Sequence, residues 1–301
     1  MAWSSGLSNR VRMRTAKDFL QRFPSVDPVG DPLVLIPTFN NGVYLDNFLQ
    51  QLRRRGINRF LILDGGSTEP GTVELLNRLD QEGHVVRLNG NPGPRYFFEN
   101  KSFFESLPDI FCVSDPDLEL NPSLPGDFLT QLHQLSLELK SGKIGFALSL
   151  EGELDPSEFF FGKRWVGIRD WESQFWKKRV HNSLGIEAYE ASIDTTFALY
   201  NKLYLEKKKF FDAVRVAGVF CAKHIPWYPD HPLATKTPSA TADSRFTTWS
   251  QELSEKNQKQ ALQFALKTVE DMRGSLSWRI TAPLRLLHKV FRCIVTRLGI
   301  K

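Results

Sequence analysis

Residues 111–120, FCVSDPDLEL, run apolar and then stop on two aspartates one residue apart, Asp115 and Asp117. Two ionised carboxylates at that spacing raise each other's pKa unless solvent screens them or a cation lies between them. The triplet alone is a weak signal, because a chain with 17 aspartates in 301 residues produces one by chance. A solvated turn is the plain alternative. Hard cations such as Mn²⁺ or Mg²⁺, however, favour a few carboxylates together with phosphate oxygens of a substrate. With a diphosphate, such a pair becomes a functional site.

Three more residues have types that suit chemistry. Asp194, in SIDTTF, and Glu172, in RDWESQFW, are candidates for a general base that takes a proton from a hydroxyl. Asp194 serves equally well as an acid that merely opens a strand, and Glu172, between Trp171 and Trp176, as part of a surface cluster or lid helix. His224, in AKHIPWY, suits a third metal ligand or a satisfied core residue.

The elements that must position these residues follow from hydrophobic pattern. PLVLIPTFN, RFLILDGGS, HVVRLNGN and IFCVSD read as strands, each short, apolar and closed by polar punctuation. Amphipathic helical stretches at 43–54, 71–81 and 96–106 lie between them, and a short helix is expected near 16–22. Strand–helix alternation at this pitch predicts βαβ units and a mainly parallel sheet covered on both faces. Ligands of such sheets bind outside the carboxyl ends of the strands. Thr38-Phe39-Asn40, Asp64-Gly65-Gly66-Ser67, residues 89–95 and Ser114-Asp115-Pro116-Asp117 are thereby predicted to share one edge. Further on, 128–139 reads as a helix, IGFALSL and IDTTFALY as strands, and RVAGVFCAKHIPWYPD as strand and loop. Residues 231–248 have the composition of a linker, and a polar helix is expected over roughly 249–273.

Composition narrows the class. A mean hydropathy of −0.30 is that of a soluble globular protein. The net charge of +5 belongs to the tail, because 275–301 carries Arg279, Arg285, Lys289, Arg292, Arg297 and Lys301 and no acid. A nucleic-acid-binding core is not expected. Cys112, Cys221 and Cys293 have no metal-type or disulfide spacing, which fits a reducing cytoplasm. Arg10, Arg12, Arg14 and Lys17 lack a following apolar stretch, so no signal peptide is expected. No apolar run reaches the length of a membrane span.

LVLIPTFNNGVYLDNFLQQL, FLILDGGST and CVSDPDLELNP together resemble the nucleotide-sugar-binding half of family-2, GT-A-fold glycosyltransferases, over about 33–125 and more loosely to about 230. The resemblance implies an α/β fold, a GT-A-type three-layer sandwich with a mainly parallel central sheet, plus a C-terminal helical extension. It divides the chain into an N-terminal extension (1–30), a catalytic domain (31–230, with nucleotide-sugar half 31–125 and acceptor half 126–230), a linker (231–248) and C-terminal helices (249–301). It implies a nucleoside-diphosphate sugar, UDP-linked, as donor and a glycan or lipid-linked acceptor, with transfer inverting. Pro37, Thr38, Phe39 and Asn40 would open the donor pocket, Asp64 would contact the base, and Gly66, Arg95, Ser114 and Asp115 would complete it. Asp115 and Asp117, with His224, would hold Mn²⁺ or Mg²⁺. Asn91-Pro92-Gly93 resembles the N-x-G after the third strand. The final acid of the second motif is Glu69 rather than aspartate, and no E-D pair opens a downstream helix where many members place the base. A sugar-phosphate nucleotidylyltransferase would carry a G-x-R loop after the first strand, which PTFNNG lacks. A catalytically inactive membrane-associated scaffold is the remaining alternative.

The tail sets Leu284, Leu287, Phe291, Ile294 and Leu298 on one helical face, with Arg285, Lys289, Arg292 and Arg297 largely off it. Pro283 suits a first helical turn and Trp278 an interface. The pattern predicts an amphipathic helix docking 275–301 on an anionic membrane surface, hence a peripheral place on the inner face of the cell membrane. Packing on the chain's own domain or on a partner is the alternative.

Overall fold

The computed structural model of the chain describes residues 15–25, 27–156, 158–161, 164–206, 209–234, 262–263 and 266–267. The amphipathic tail and most of the predicted 249–273 helix lie outside the described residues. Contacts divide the chain into two units, 1–157 with 167–248 and 158–166 with 249–301. In the second, Glu158–Phe161 (β7) and Arg164–Gly167 (β8) pair as a two-stranded ribbon.

The first unit is a mixed α/β sandwich. Leu33–Thr38 (β1), Phe60–Asp64 (β2), Val85–Arg87 (β3) and Ile110–Val113 (β4) are parallel, in the order β3-β2-β1-β4. Every residue of β1 and β2 is buried, as expected of strands covered on both faces. Alternate side chains feed two cores. Val34, Ile36 and Ile62 meet Gly42–Arg54 (α2), Pro70–Glu82 (α3) and Phe128–Leu139 (α6). Leu33, Leu35 and Leu63 face the opposite core, with Tyr96–Glu99 (α4), Lys101–Ser106 (α5) and Ala16–Arg22 (α1). Full burial of one such aliphatic or aromatic side chain contributes roughly 1.5–3 kcal/mol.

Beyond β4 the sheet is mixed rather than mainly parallel. Ala198–Asn201 (β11) inserts antiparallel between β4 and Lys143–Phe146 (β6). Val214–Val216 (β12) pairs parallel to β6, and Ala188–Glu190 (β10) and Arg179–Val180 (β9) complete a nine-stranded sheet with antiparallel pairs. Leu118–Leu120 (β5) and Ala222–His224 (β13) form a separate ribbon. Ile168–Ser173 (α7) carries part of the aromatic-rich stretch.

One local departure has a plain cause. The predicted 96–106 helix breaks at Asn100, whose ψ of 103° leaves the helical region and whose side chain caps α5 through the Phe103 N–H. The short helix expected near 16–22 is present as α1: Thr15 and Asp18 form its capping box, and Phe19 is fully buried in the same core as Leu33 and Leu35.

His84 completes the seat of α1. Its ring stacks on Phe60 and Phe23, with centroids 4.4 and 4.9 Å away, and its Nδ1 lies 2.9 Å from the Phe60 carbonyl. A carbonyl only accepts, so the neutral ring carries its proton there. Burial holds His84 below the usual histidine pKa, with Arg53 and Arg22 adding to the effect against the Phe60 bond and Glu82. The unfolded chain therefore takes up this proton first as pH falls. Stability from this site is fully present above the ordinary value of about 6.5 and is lost below it. Urea unfolding followed from about pH 7.5 to about pH 5 is expected to show a steeper loss of stability for the wild type than for His84→Gln.

Candidate functional site

The chain order reverses between β1 and β4: β2 and β3 lie on one side of β1, and β4 returns to the other. In open sheets the ligand crevice forms at that switch point, outside the carboxyl ends. Pro37 helps to open it. A proline has no N–H for a ladder, and it stands where β1 has already parted from β4, whose pairing covers only Leu33–Leu35.

The loops on the β2 side are laced together. Asn40, at a positive φ of 51°, accepts from the N–H groups of Thr68 (2.7 Å) and Glu69 (2.9 Å), and its own N–H donates to Ser67 Oγ (3.0 Å). Gly66 takes the left-handed φ of 83° that the turn needs. Asp64 is buried, its Oδ1 accepting from the Ser67 N–H and its Oδ2 from Arg87 Nη1 at 2.8 Å. As placed, Asn40 and Asp64 organise the loops. Thr38 and Pro37 are buried beneath them, and Phe39, 41% exposed, is an aromatic side chain that this edge presents to solvent.

On the β4 side, Ser114 is buried, its N–H bound to the Leu35 carbonyl and its hydroxyl to the Asp115 carbonyl. Asp115 is half-buried and its Oδ2 accepts from the Thr195 hydroxyl at 2.8 Å, while its N–H donates to the Thr195 carbonyl. Burial, then the neighbouring Asp117 charge, raise its pKa to about 7 against the Thr195 bond. The β5–β13 ribbon sets His224 opposite Leu118, and the Ile225 N–H ties to the Asp117 carbonyl. His224 Nε2 consequently lies 3.1 Å from Asp117 Oδ2, without the alignment of a hydrogen bond. Burial disfavours the imidazolium, but Asp117, Asp115 and Glu172 outweigh it and raise the pKa.

Asp194 lies four residues ahead of β11, beside Thr195. Burial raises its pKa, opposed by Arg95 and Lys143. The Arg95 Nε lies 3.6 Å from Glu99 and its guanidinium 5.6 Å from the Phe211 ring centroid, and its charge acts on Asp194 from there. Glu172 is differently held. It is buried, its Oε1 bound by Arg215 Nη1, and it accepts from the Leu148 N–H. Burial still raises its pKa. Its carboxylate is engaged in joining α7 to β12 and the end of β6.

The structure thus brings Asp115, Asp117, His224 and Asp194 to one edge, with Pro37 to Asn40 across the crevice. Among the described residues, the buried side-chain polar atoms without a hydrogen-bond partner are Asn41 Oδ1, Asp117 Oδ1, Asp194 Oδ1, both ring nitrogens of His224 and Trp176 Nε1. Five of these six atoms, all but Trp176 Nε1, belong to residues of this edge. Native proteins leave few such groups unpaired, so the concentration marks a place prepared for something polar. Among the described residues no three His, Cys, Asp or Glu side chains are grouped to hold a metal by themselves. A cleft of about 380 Å³ at the opposite edge, lined by Ser141, Glu190, Tyr204 and Asp212 among others, contains none of these residues.

Thr195, Arg87, Lys143 and Arg215 are functional neighbours that sequence reasoning did not single out. Thr195 was within reach, since it adjoins Asp194; the others depend on strand register. No helix among the described residues is long and apolar enough to cross a membrane.

Removing one partner of a buried ion pair strands the other charge. Glu172→Ala is expected to destabilise the fold by about 3–5 kcal/mol, read by urea unfolding, because Arg215 stays buried. The paired change Glu172→Leu with Arg215→Met recovers most of that loss if the pair is structural. The chain matches no known protein family, and no curated protein matches its sequence, so the work of this edge is argued from its geometry.

Proposed function

We propose that the chain is a glycosyltransferase that moves a sugar from a nucleoside-diphosphate sugar, with UDP the expected nucleotide, to a glycan or lipid-linked acceptor. The observation that carries this reading is the cluster of unsatisfied buried polar atoms at the switch-point crevice, beside a pair of carboxylates. Helices on both faces of a sheet whose first four strands are parallel support a GT-A-type sandwich.

Asp115 and Asp117, with His224, would hold Mn²⁺ or Mg²⁺. The chemistry of the donors suits a hard cation, although the three are not grouped closely enough to hold one by themselves: Asp117 Oδ1 and His224 Nδ1 are buried without partners, His224 Nε2 faces only the Asp117 carboxylate, and burial beside Asp117 raises Asp115 in a way a cation would relieve. A hard cation completes a set of this size with diphosphate oxygens. When bound, it supplies charge neutralisation for the departing diphosphate. The Asp117 carboxylate beside His224 favours its imidazolium against the cost of burial.

The residues of the chain then divide the remaining tasks. Phe39 offers an exposed aromatic face at the crevice mouth, suited to stacking on the nucleotide base. The Asp64–Arg87 pair keeps the 65–67 turn in place below it. Asp194 takes the acceptor hydroxyl's proton on Oδ1, its raised pKa bringing it toward the range in which a base works near neutral pH. The bond between the sugar's anomeric carbon and the diphosphate breaks as the acceptor oxygen bonds from the opposite face.

Calorimetry with UDP, GDP and dTDP, each with and without Mn²⁺, tests the reading. UDP binding is expected to require Mn²⁺ and to weaken in Asp117→Ala by at least the ~10–100-fold that even an outer partner of a metal ligand is worth. Nucleotide binding that ignores both the metal and Asp117 would overturn it.

A further inference from the structure

The segment ahead of β11 is neither helix nor strand, yet four consecutive carbonyls in it, those of residues 192–195, are held by different parts of the fold. Ser192 O accepts from Arg215 Nε at 2.8 Å and Ile193 O from Lys143 Nζ at 3.0 Å. Asp194 O accepts from the Tyr200 hydroxyl at 3.3 Å, and Thr195 O from the Asp115 N–H at 2.9 Å. Four consecutive carbonyls centred on Asp194 are therefore pinned, two of them by buried cations.

Lys143 is the unexpected member. It is wholly buried on the second strand away from β4, with its ammonium 3.7 Å from the Phe210 ring centroid and 4.8 Å from that of Tyr200. Besides Ile193 O it donates to Phe210 O at 2.5 Å. Burial depresses its pKa to about 7, which measures how poorly the site suits a charge. A methionine would fill the same space without that cost. What a methionine would not do is bind the Ile193 carbonyl. Asp194 Oδ1 has no hydrogen bond to aim it, so its direction depends on the backbone that bears it.

We propose that Lys143 is a positioning residue for Asp194, acting through the Ile193 carbonyl, with Arg215 and Tyr200 fixing the residues on either side of that bond. The inference rests on the reading of Asp194 as the proton acceptor of sugar transfer. Lys143 bonds to the peptide linkage immediately before Asp194, so it fixes where the acid points, while its charge also opposes the rise that burial gives the acid's pKa. The nucleotide pocket lies across the crevice and the candidate metal ligands Asp115, Asp117 and His224 make no contact with Lys143, whose bonds go to the carbonyls of Ile193 and Phe210, so both should be indifferent to it.

The test is a double-mutant cycle on turnover of a nucleotide sugar with Mn²⁺ present. Lys143→Met is expected to lower kcat by about 10²-fold, the scale of an ångström's misplacement, with donor KM and Mn²⁺-dependent UDP binding unchanged. Added to Asp194→Asn, it is expected to cost nothing further, because residues that act through one another are not additive. Tyr200→Phe removes only a hydroxyl, keeps the ring stacked on Phe111, and decides the matter if Lys143→Met does not fold. It is expected to lower kcat less and to show the same non-additivity. Full losses in the Asp194→Asn background, losses shared by UDP binding, or wild-type kcat in the folded variants would overturn the positioning role alone. A wild type that binds no nucleotide and turns over no nucleotide sugar would defeat the glycosyltransferase reading, and the positioning role with it.

Discussion

Like charges held close together in a partly desolvated place are costly, and the carboxyl edge of this sheet holds three acids, Asp115, Asp117 and Asp194, within reach of one another. The surrounding groups answer that constraint one acid at a time. The Thr195 hydroxyl serves Asp115, the His224 ring lies against Asp117, and Arg95 and Lys143 counter the burial of Asp194. None of these answers is complete, since an oxygen of Asp117 and one of Asp194 stay unpartnered. A fold that needed only stability would place apolar or neutral groups there.

The strand directions follow from the same requirement. β11 runs antiparallel between β4 and β6, so its entry, not its exit, lies beside the carboxyl end of β4. A parallel β11 would carry Asp194 and Thr195 to the far edge, beyond reach of Asp115. The early parting of β1 from β4 at Pro37 acts in the same sense. A ladder continued to Thr38 would close the crevice that the two carboxylates border.

Much of this is legible in the residues themselves. The first four strands are short buried runs with polar ends, and their shared edge follows from βαβ handedness. The ribbon that brings His224 to Asp117 and the insertion of β11 are not legible, because both are pairings between segments far apart in sequence. Asp64 shows the same limit on a smaller scale. It reads as a free acid ending a strand, yet the parallel register puts Arg87 directly opposite it, and Arg87 takes one of its oxygens. Lys143 and Arg215 read as surface charges at a strand start and in a strand. Their burial depends on which helices and loops cover those strands, which local pattern does not state. Asn100, by contrast, was legible in principle, since asparagine is among the residues favoured as a helix N-cap.

The two acids put forward from the sequence as candidate bases separate on how their countercharges reach them. Burial raises the pKa of both Glu172 and Asp194. Arg215 binds the Glu172 carboxylate directly, and the Leu148 N–H takes part as well, so that acid is spent in joining α7 to the sheet. Around Asp194 the cations donate to backbone carbonyls and leave a carboxylate oxygen untouched. The same guanidinium makes both kinds of contact, holding Glu172 by its side chain and the Asp194 segment by Ser192 O. An acid held by its carboxylate is structural; an acid whose backbone is held and whose oxygen is left bare is presented.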